Sequence, residues 1–243
     1  MWKKFLLQLT FLTRLPVPFT PEFDERAFAK GILYFPMIGL LIGALLMPLG
    51  LLIPLLPRPL FSILVILLYL LITGGLHLDG VADVWDGMGS YRSKEKVFAI
   101  MSDSRIGAYG AVGLILYFLI FFSTNLYVDT YCLLLFPLVG RAMAMVLSGF
   151  SSYAKDSGLA KDLVDATQPV HGLVGLVIAL GSAIYLGPAY ALGCLGAILF
   201  TLFQQRRFKK RLGGITGDVI GYVIENSQLV FLFVTVIALA LGV

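Results

Sequence analysis

Seven long apolar runs restrict this chain more than any other feature. Residues 32–54, 60–76, 110–127, 131–148, 172–187, 190–204 and 219–241 hold only two charged side chains, Arg141 and Glu225. Soluble domains are roughly half apolar and a quarter charged, whereas 59% of these 243 residues are hydrophobic and 13% are charged. Runs of this length suit a hydrocarbon core about 30 Å thick. In such a medium the backbone must satisfy its own hydrogen bonds, so the runs are expected to be helices. The expected fold is all-α: a polytopic membrane helix bundle of about seven spans, forming one domain over residues 1–243. A short Gly-Pro turn joins the fifth and sixth runs, which leaves open a hairpin that does not fully cross.

The termini and loops add detail. Trp2, Phe5, Leu6, Leu9 and Leu12 recur at helical spacing beside Lys3 and Lys4, which predicts an amphipathic helix lying in the interface. This start resembles a signal peptide, but it lacks a small-residue cleavage site and runs into Arg14 and Pro16, so it is expected to be retained. Cys132 and Cys194 fall inside apolar runs, which suggests neither a disulfide framework nor a cysteine metal site. Basic residues are strongly one-sided. With the N-terminus inside, the cytoplasmic loops receive Lys3, Lys4, Arg14, Arg26, Lys30, Arg92, Lys94, Lys96, Arg105, Lys155, Lys161 and the cluster from Arg206 to Arg211. The other side receives Arg58. The expected topology is therefore N-terminus in and C-terminus out.

The stretch GGLHLDGVADVWDGMG (74–89) then lies at the cytoplasmic mouth of the second and third spans. On a helix, Asp79, Asp83 and Asp86 fall within an arc of about 60°. Val81, Val84, Trp85 and Met88 fall on the other side, and Gly80 and Gly87 beside the acids allow close approach of a ligand. Like charges on one helical face repel. A hard divalent cation such as Mg²⁺ or Mn²⁺ resolves this with oxygen ligands, water and substrate phosphates. A solvated acidic helix end is the bland alternative. His77 points near the apolar face, as a packed histidine or a catalytic one.

Two further glycine-rich turns open spans. In SDSRIGAYG (102–110), Asp103 or Ser104 is a candidate N-cap. Arg105 beside free helix N–H groups makes either an anion site or a positive-inside anchor. In GGITGDVIGYVIEN (213–226), Asp218 stands at the helix boundary, with Tyr222 and Glu225 on its face. A carboxylate inside a span is a functional hypothesis by default, and Arg141 is the expected partner of Glu225. DLVDATQ (162–168) reads as a solvated loop that also has room to cover a site, near Lys155, Lys161 and His171.

Together, FLTRLPVP (11–18), GGLHLDGVADVWDG (74–87), SDSRIGAYG (102–110), GR (140–141) and GGITGD (213–218) resemble the cobalamin synthase, or adenosylcobinamide-GDP ribazoletransferase, family over nearly the whole chain. The family usually shows Thr or Ala where this chain has Val84 and Trp85, a departure on the apolar side of the helix.

The resemblance implies a multi-pass enzyme of the bacterial inner membrane, with its active site facing the cytoplasm. It implies attack by the 3′-hydroxyl of α-ribazole, or its 5′-phosphate, on the cobinamide-side phosphorus of adenosylcobinamide-GDP, with GMP leaving. Mg²⁺ is the implied cofactor, with Mn²⁺ as a substitute. Asp79, Asp83, Asp86 and Asp218 are the expected metal ligands. Asp83, Asp86 and His77 are expected in catalysis, with Asp83 or Asp86 as the general base. Arg105, Arg141, Gly213, Gly214, Thr216 and Gly217 are expected to hold substrate. The expected partners are these two substrates and the lipid bilayer, with a homo-oligomer left open and no nucleic acid. A membrane transferase for a lipid alcohol or prenyl diphosphate would use the same acids. An ion-coupled transporter would instead favour midplane acids in broken helices.

Overall fold

The computed structural model describes residues 2–17 and 21–243. Pro18, the last residue of FLTRLPVP, lies outside the described residues. Among the described residues the elements are helical, joined by one isolated bridge between Tyr153 and Ile215. The N-terminal arm contains α1 (Trp2–Leu12) and α2 (Glu25–Ala29). A first apolar stretch follows as α3 (Phe35–Leu46), flanked by 3-10 turns. Next come α4 (Arg58–Thr73), α5 (Leu76–Gly89), α6 (Lys94–Met101), α7 (Ala108–Asn125) and α8 (Thr130–Gly149). The chain ends with α9 (Leu159–Asp165), α10 (Pro169–Leu186), α11 (Pro188–Leu212) and α12 (Gly217–Ala240).

Among the described residues, six helical stretches are by length and composition able to cross a membrane, and the bent pair of α4 and α5 makes a seventh if it is counted as one span. The protein is a multi-pass membrane helix bundle, as the apolar runs require. Helices α10 and α11 are both long and apolar enough to span, and α11 extends past its apolar run to carry the basic cluster ending at Arg211.

Helix α8 is the hub, with nearly its whole length buried. Gly39 and Gly43 of α3 face the Pro137 and Leu134 carbonyls of α8 so closely that neither site has room for a Cβ. In a membrane, where apolar contact with lipid is equally available, such small-residue seams let helices pack on each other.

Helix α1 forms as expected, but its apolar face is not given to lipid alone. Leu6, Leu7, Leu9 and Leu12 are buried in the protein core, while Trp2 stays exposed. Gln8, also buried, donates through Nε2 to the Phe28 carbonyl at 2.8 Å and ties α1 to α2.

The break that positions the acids lies at Gly74 and Gly75. Both have positive φ, 68° and 65°, a region where only glycine escapes a Cβ clash. They turn the chain by 98° between α4 and α5, so α5 runs across the end of the bundle instead of continuing the span. A Cβ at Gly74 would stand 2.5 Å from Arg14 Nε, and the Arg14 N–H donates to the Ile72 carbonyl at 2.7 Å. The TRLP loop thereby closes the open end of α4.

Candidate active site

Helix α5 crosses α12 where Gly80 passes the Asp218 backbone; a Cβ on Gly80 would lie 2.5 Å from the Asp218 carbonyl oxygen. This crossing sets Asp79 of α5 beside Asp218 at the first turn of α12. Both line a cavity of about 350 Å³. The acid side of the cavity also carries His77, Gly217 and Gly221, with Tyr153 and Lys155 from the loop after α8. Its apolar lining comes from Phe11 and Leu12 of α1, Phe28 of α2, Phe35 of α3 and Leu163 of α9.

The three acids of α5 have unlike surroundings. Asp86 turns to the N-terminus of α7, where its two carboxylate oxygens accept from Gly107 N–H at 2.7 Å and Gly110 N–H at 2.9 Å. The anion site expected there for phosphate is filled by the protein's own carboxylate. Asp83 lies between the others. Burial, then the charges of Asp79, Asp218 and Asp86, push its carboxyl up to about 7, and Lys155 opposes them. Among the described residues, no three His, Cys, Asp or Glu side chains are grouped closely enough to hold a metal ion by themselves. An open set of hard oxygen donors with excess negative charge nevertheless suits Mg²⁺, which takes one or two carboxylates and completes its shell with water and phosphate.

His77 is buried at the start of α5, with Nδ1 3.4 Å from Oε1 of Glu225. Glu225 also accepts from Tyr69 Oη at 2.8 Å, Tyr117 Oη at 2.6 Å and Gln228 Nε2 at 3.2 Å. Arg141 is fully buried and donates through Nη1 to Gln228 Oε1 at 2.6 Å and to Tyr69 Oη at 3.3 Å. The expected direct Arg141–Glu225 pair is therefore replaced by a relay through Tyr69 and Gln228. Each spare lone pair is met by a neutral donor that needs less desolvation than a second ion. His77 points away from the three acids of its own helix, as its spacing implied, and toward this fourth one.

Other expected ligands serve the frame. Arg105 is exposed and bonds Asp103 twice, Nε to Oδ1 at 3.0 Å and Nη2 to Oδ2 at 2.7 Å. Asp103 is not the N-cap of α7; it accepts from the Arg105 N–H in a local turn at 3.0 Å. Arg141 sits in the buried relay and does not line the cavity. Gly213 ends α11, Gly214 packs on the Ser152 carbonyl, and Thr216 caps α12 by accepting from the Val219 N–H at 3.3 Å. From this turn, Gly217 and Asp218 reach the cavity.

Sequence reasoning missed Lys155, Tyr153 and the phenylalanine lining. Lys155 was expected in a solvated loop. That loop pairs with the glycine turn, Ala154 N–H to Ile215 O at 2.8 Å and Ile215 N–H to Ser152 O at 2.9 Å, which carries Lys155 to the acids. Helix α9 takes in the first four residues of DLVDATQ and lines the cavity with Leu163. Tyr69, Tyr117 and Gln228 were also missed, although their polar atoms interrupt apolar spans that hold Arg141 or Glu225 or pack against them.

The cobalamin-5-phosphate synthase family model matches residues 4–236. An adenosylcobinamide-GDP ribazoletransferase of Alkaliphilus oremlandii (strain OhILAs) is 40% identical, covering 95% of both chains. Proteins of the same name from Acetivibrio thermocellus and Fusobacterium nucleatum are 37% and 35% identical, each over 95% of this chain and 96% of the relative. No solved structure matches the chain.

Proposed function

The chain belongs to the cobalamin-5-phosphate synthase family, and we infer that it is an adenosylcobinamide-GDP ribazoletransferase. It joins α-ribazole, or its 5′-phosphate, to adenosylcobinamide-GDP and releases GMP with adenosylcobalamin, or its phosphate. The observation that carries this reading is the cavity in which Asp79, Asp218, His77 and Lys155 meet. Transfer of a phosphoryl group between oxygens needs positioning, charge neutralisation and a proton acceptor, and these residue types cover all three.

Asp79 and Asp218, with Asp83 behind them, are the groups that would hold Mg²⁺ or Mn²⁺. A divalent ion there supplies charge neutralisation for the diphosphate and the departing GMP. Lys155 holds a diphosphate oxygen as a point charge. Of Asp83, Asp86 and His77, it is His77 that lines the cavity. Its Nδ1 stands 3.4 Å from Glu225 Oε1 without a hydrogen bond, and Nε2 is the ring nitrogen that takes the proton of the attacking 3′-hydroxyl. The new bond joins that oxygen to the cobinamide-side phosphorus, and the bond from that phosphorus to the bridging oxygen of GMP breaks.

The acid end of the bundle faces the cytoplasm of the bacterial inner membrane in this reading. Its support is the basic residues sharing that end, including the α11 cluster, whose Arg211 donates to the Arg92 carbonyl at 2.8 Å. Purified protein in detergent should release GMP from adenosylcobinamide-GDP when α-ribazole and Mg²⁺ are present, and not after EDTA. No release with any acceptor would overturn the assignment.

A further inference from the structure

We propose that the phenylalanine-lined side of the cavity is the acceptor site, where the flat dimethylbenzimidazole base of α-ribazole stacks with its ribose turned toward His77 and Asp218. The proposal rests on the transferase reading and assigns one of its two substrates to a place.

Size is the first argument. About 350 Å³ is at the low end of the roughly 300–1,000 Å³ typical of ligand pockets. It admits one nucleoside, and the larger corrinoid is left to approach from outside, across the exposed Asp79. Chemistry of the lining is the second. Phe11, 37% exposed, is the lining ring with surface to offer a base and carries no polar side-chain atom, while Phe28, Phe35, Leu12 and Leu163, at most 3% exposed, form the packed wall behind it. Guanine, the other base in the reaction, carries a carbonyl, a ring N–H and an amine that would be left unpaired there. Dimethylbenzimidazole carries two methyl groups on its outer edge and a single free ring nitrogen as acceptor, so it leaves fewer polar atoms unpaired there than guanine does. Placement is the third. The acid side supplies His77 and Asp218 where the ribose hydroxyl must react, and the N-terminal helices supply the apolar side. Phe11 is braced for this role: its ring meets Phe28 edge-on at 5.1 Å, and the Phe28 carbonyl accepts from Gln8. The proposal gives the N-terminal arm a function in specificity, beside any contact with lipid.

Ala160 of α9 is the place to test it. It lines the cavity opposite Gly217, with its Cβ 3.5 Å from where a Gly217 side chain would start, and it is not part of the close-packed core. Ala160→Phe should raise KM for α-ribazole at least about tenfold, a size typical of a pocket that no longer fits its ligand. KM for adenosylcobinamide-GDP should change less than about twofold. Phe11→Leu, which keeps an apolar side chain but removes the ring, should shift KM in the same direction. Calorimetry of α-ribazole alone, without donor or metal, should show binding to the unaltered protein and weaker binding to Ala160→Phe. A raised KM for the donor with the acceptor unchanged would place guanosine in the cavity and overturn the proposal. Unchanged constants for both substrates would overturn it equally. If the unaltered protein releases no GMP, the transferase reading fails by itself, and the calorimetric result still decides whether the cavity takes the nucleoside.

Discussion

The two ends of α5 carry identical carboxylates in unlike surroundings. Asp86 meets the backbone N–H groups that open α7 and is satisfied by them. Asp79, two turns earlier, meets another carboxylate, Asp218, at the opening of α12. A helix N-terminus attracts negative charge in both cases, but at α7 one acid serves one helix, whereas at α12 the helix brings its own acid and a second arrives from α5. The first arrangement closes a fold. The second leaves surplus negative charge beside a cavity, and surplus charge is what a cation and a diphosphate can use.

The largest expected effect tests the relay behind the cavity. His77→Ala should lower kcat about 10²–10⁴-fold, the usual contribution of a general base, with the protein still monodisperse in detergent. Glu225→Gln should retain the Tyr69 contact and flatten the pH–rate profile; an unchanged profile would remove His77 from proton transfer.

Asp79→Asn should cost activity on the order of 10–100-fold, as lost metal support does, and raised Mg²⁺ should restore part of it. Rescue of Asp86→Asn to the same degree would erase the contrast between the two ends of α5.

The third prediction concerns Asp83, whose carboxyl is pushed up to about 7 by burial and then by Asp79, Asp218 and Asp86. A raised acid pKa means that the folded protein holds this proton more tightly than the unfolded chain. Stability of the metal-free protein from this group is thus fully present below the ordinary carboxyl range and is lost as pH rises through about 7. Mg²⁺ competes with the same proton, so its apparent affinity should rise about tenfold from pH 6 to 7 and level off above. Thermal melts with and without Mg²⁺ across that range would show it, and a pH-independent difference would refute it.

Asp86→Asn should instead destabilise by about 1–2 kcal/mol, as loss of a charged helix cap does, and activity should fall only with folded yield. Denaturation followed beside GMP release separates the two. Arg105→Ala is expected to change kcat/KM less than about twofold, because an exposed ion pair contributes little. A larger loss would restore Arg105 to the substrate site.

The seven apolar runs located the membrane helices to within a few residues, except that α11 continues eight residues past its run to Leu212, because the bilayer acts on each segment independently and leaves its mark locally. The acids of 74–87 were legible for the same reason: their spacing is a property of one helix. Their division of labour was not. Which of Asp79 and Asp86 meets amides and which meets a carboxylate depends on α7 and α12 arriving from residues 107 and 217. The Glu225 network was half legible, since intramembrane charges stand out, but the intervening Tyr69 and Gln228 look like any polar residue in a span.

By itself, then, the sequence determined a helical membrane protein, the end of the bundle where charge collects, and the family to which it belongs. Each follows from local pattern: apolar length, charge position, motif. Only the tertiary structure decided that two consecutive glycines fold α5 across that end, that Asp86 is spent on α7, and that Lys155 and three phenylalanines from distant segments complete the cavity. Those outcomes depend on close approach between elements far apart in the chain, where a missing Cβ at Gly80 or a paired loop at Ile215 sets distances that no single segment encodes.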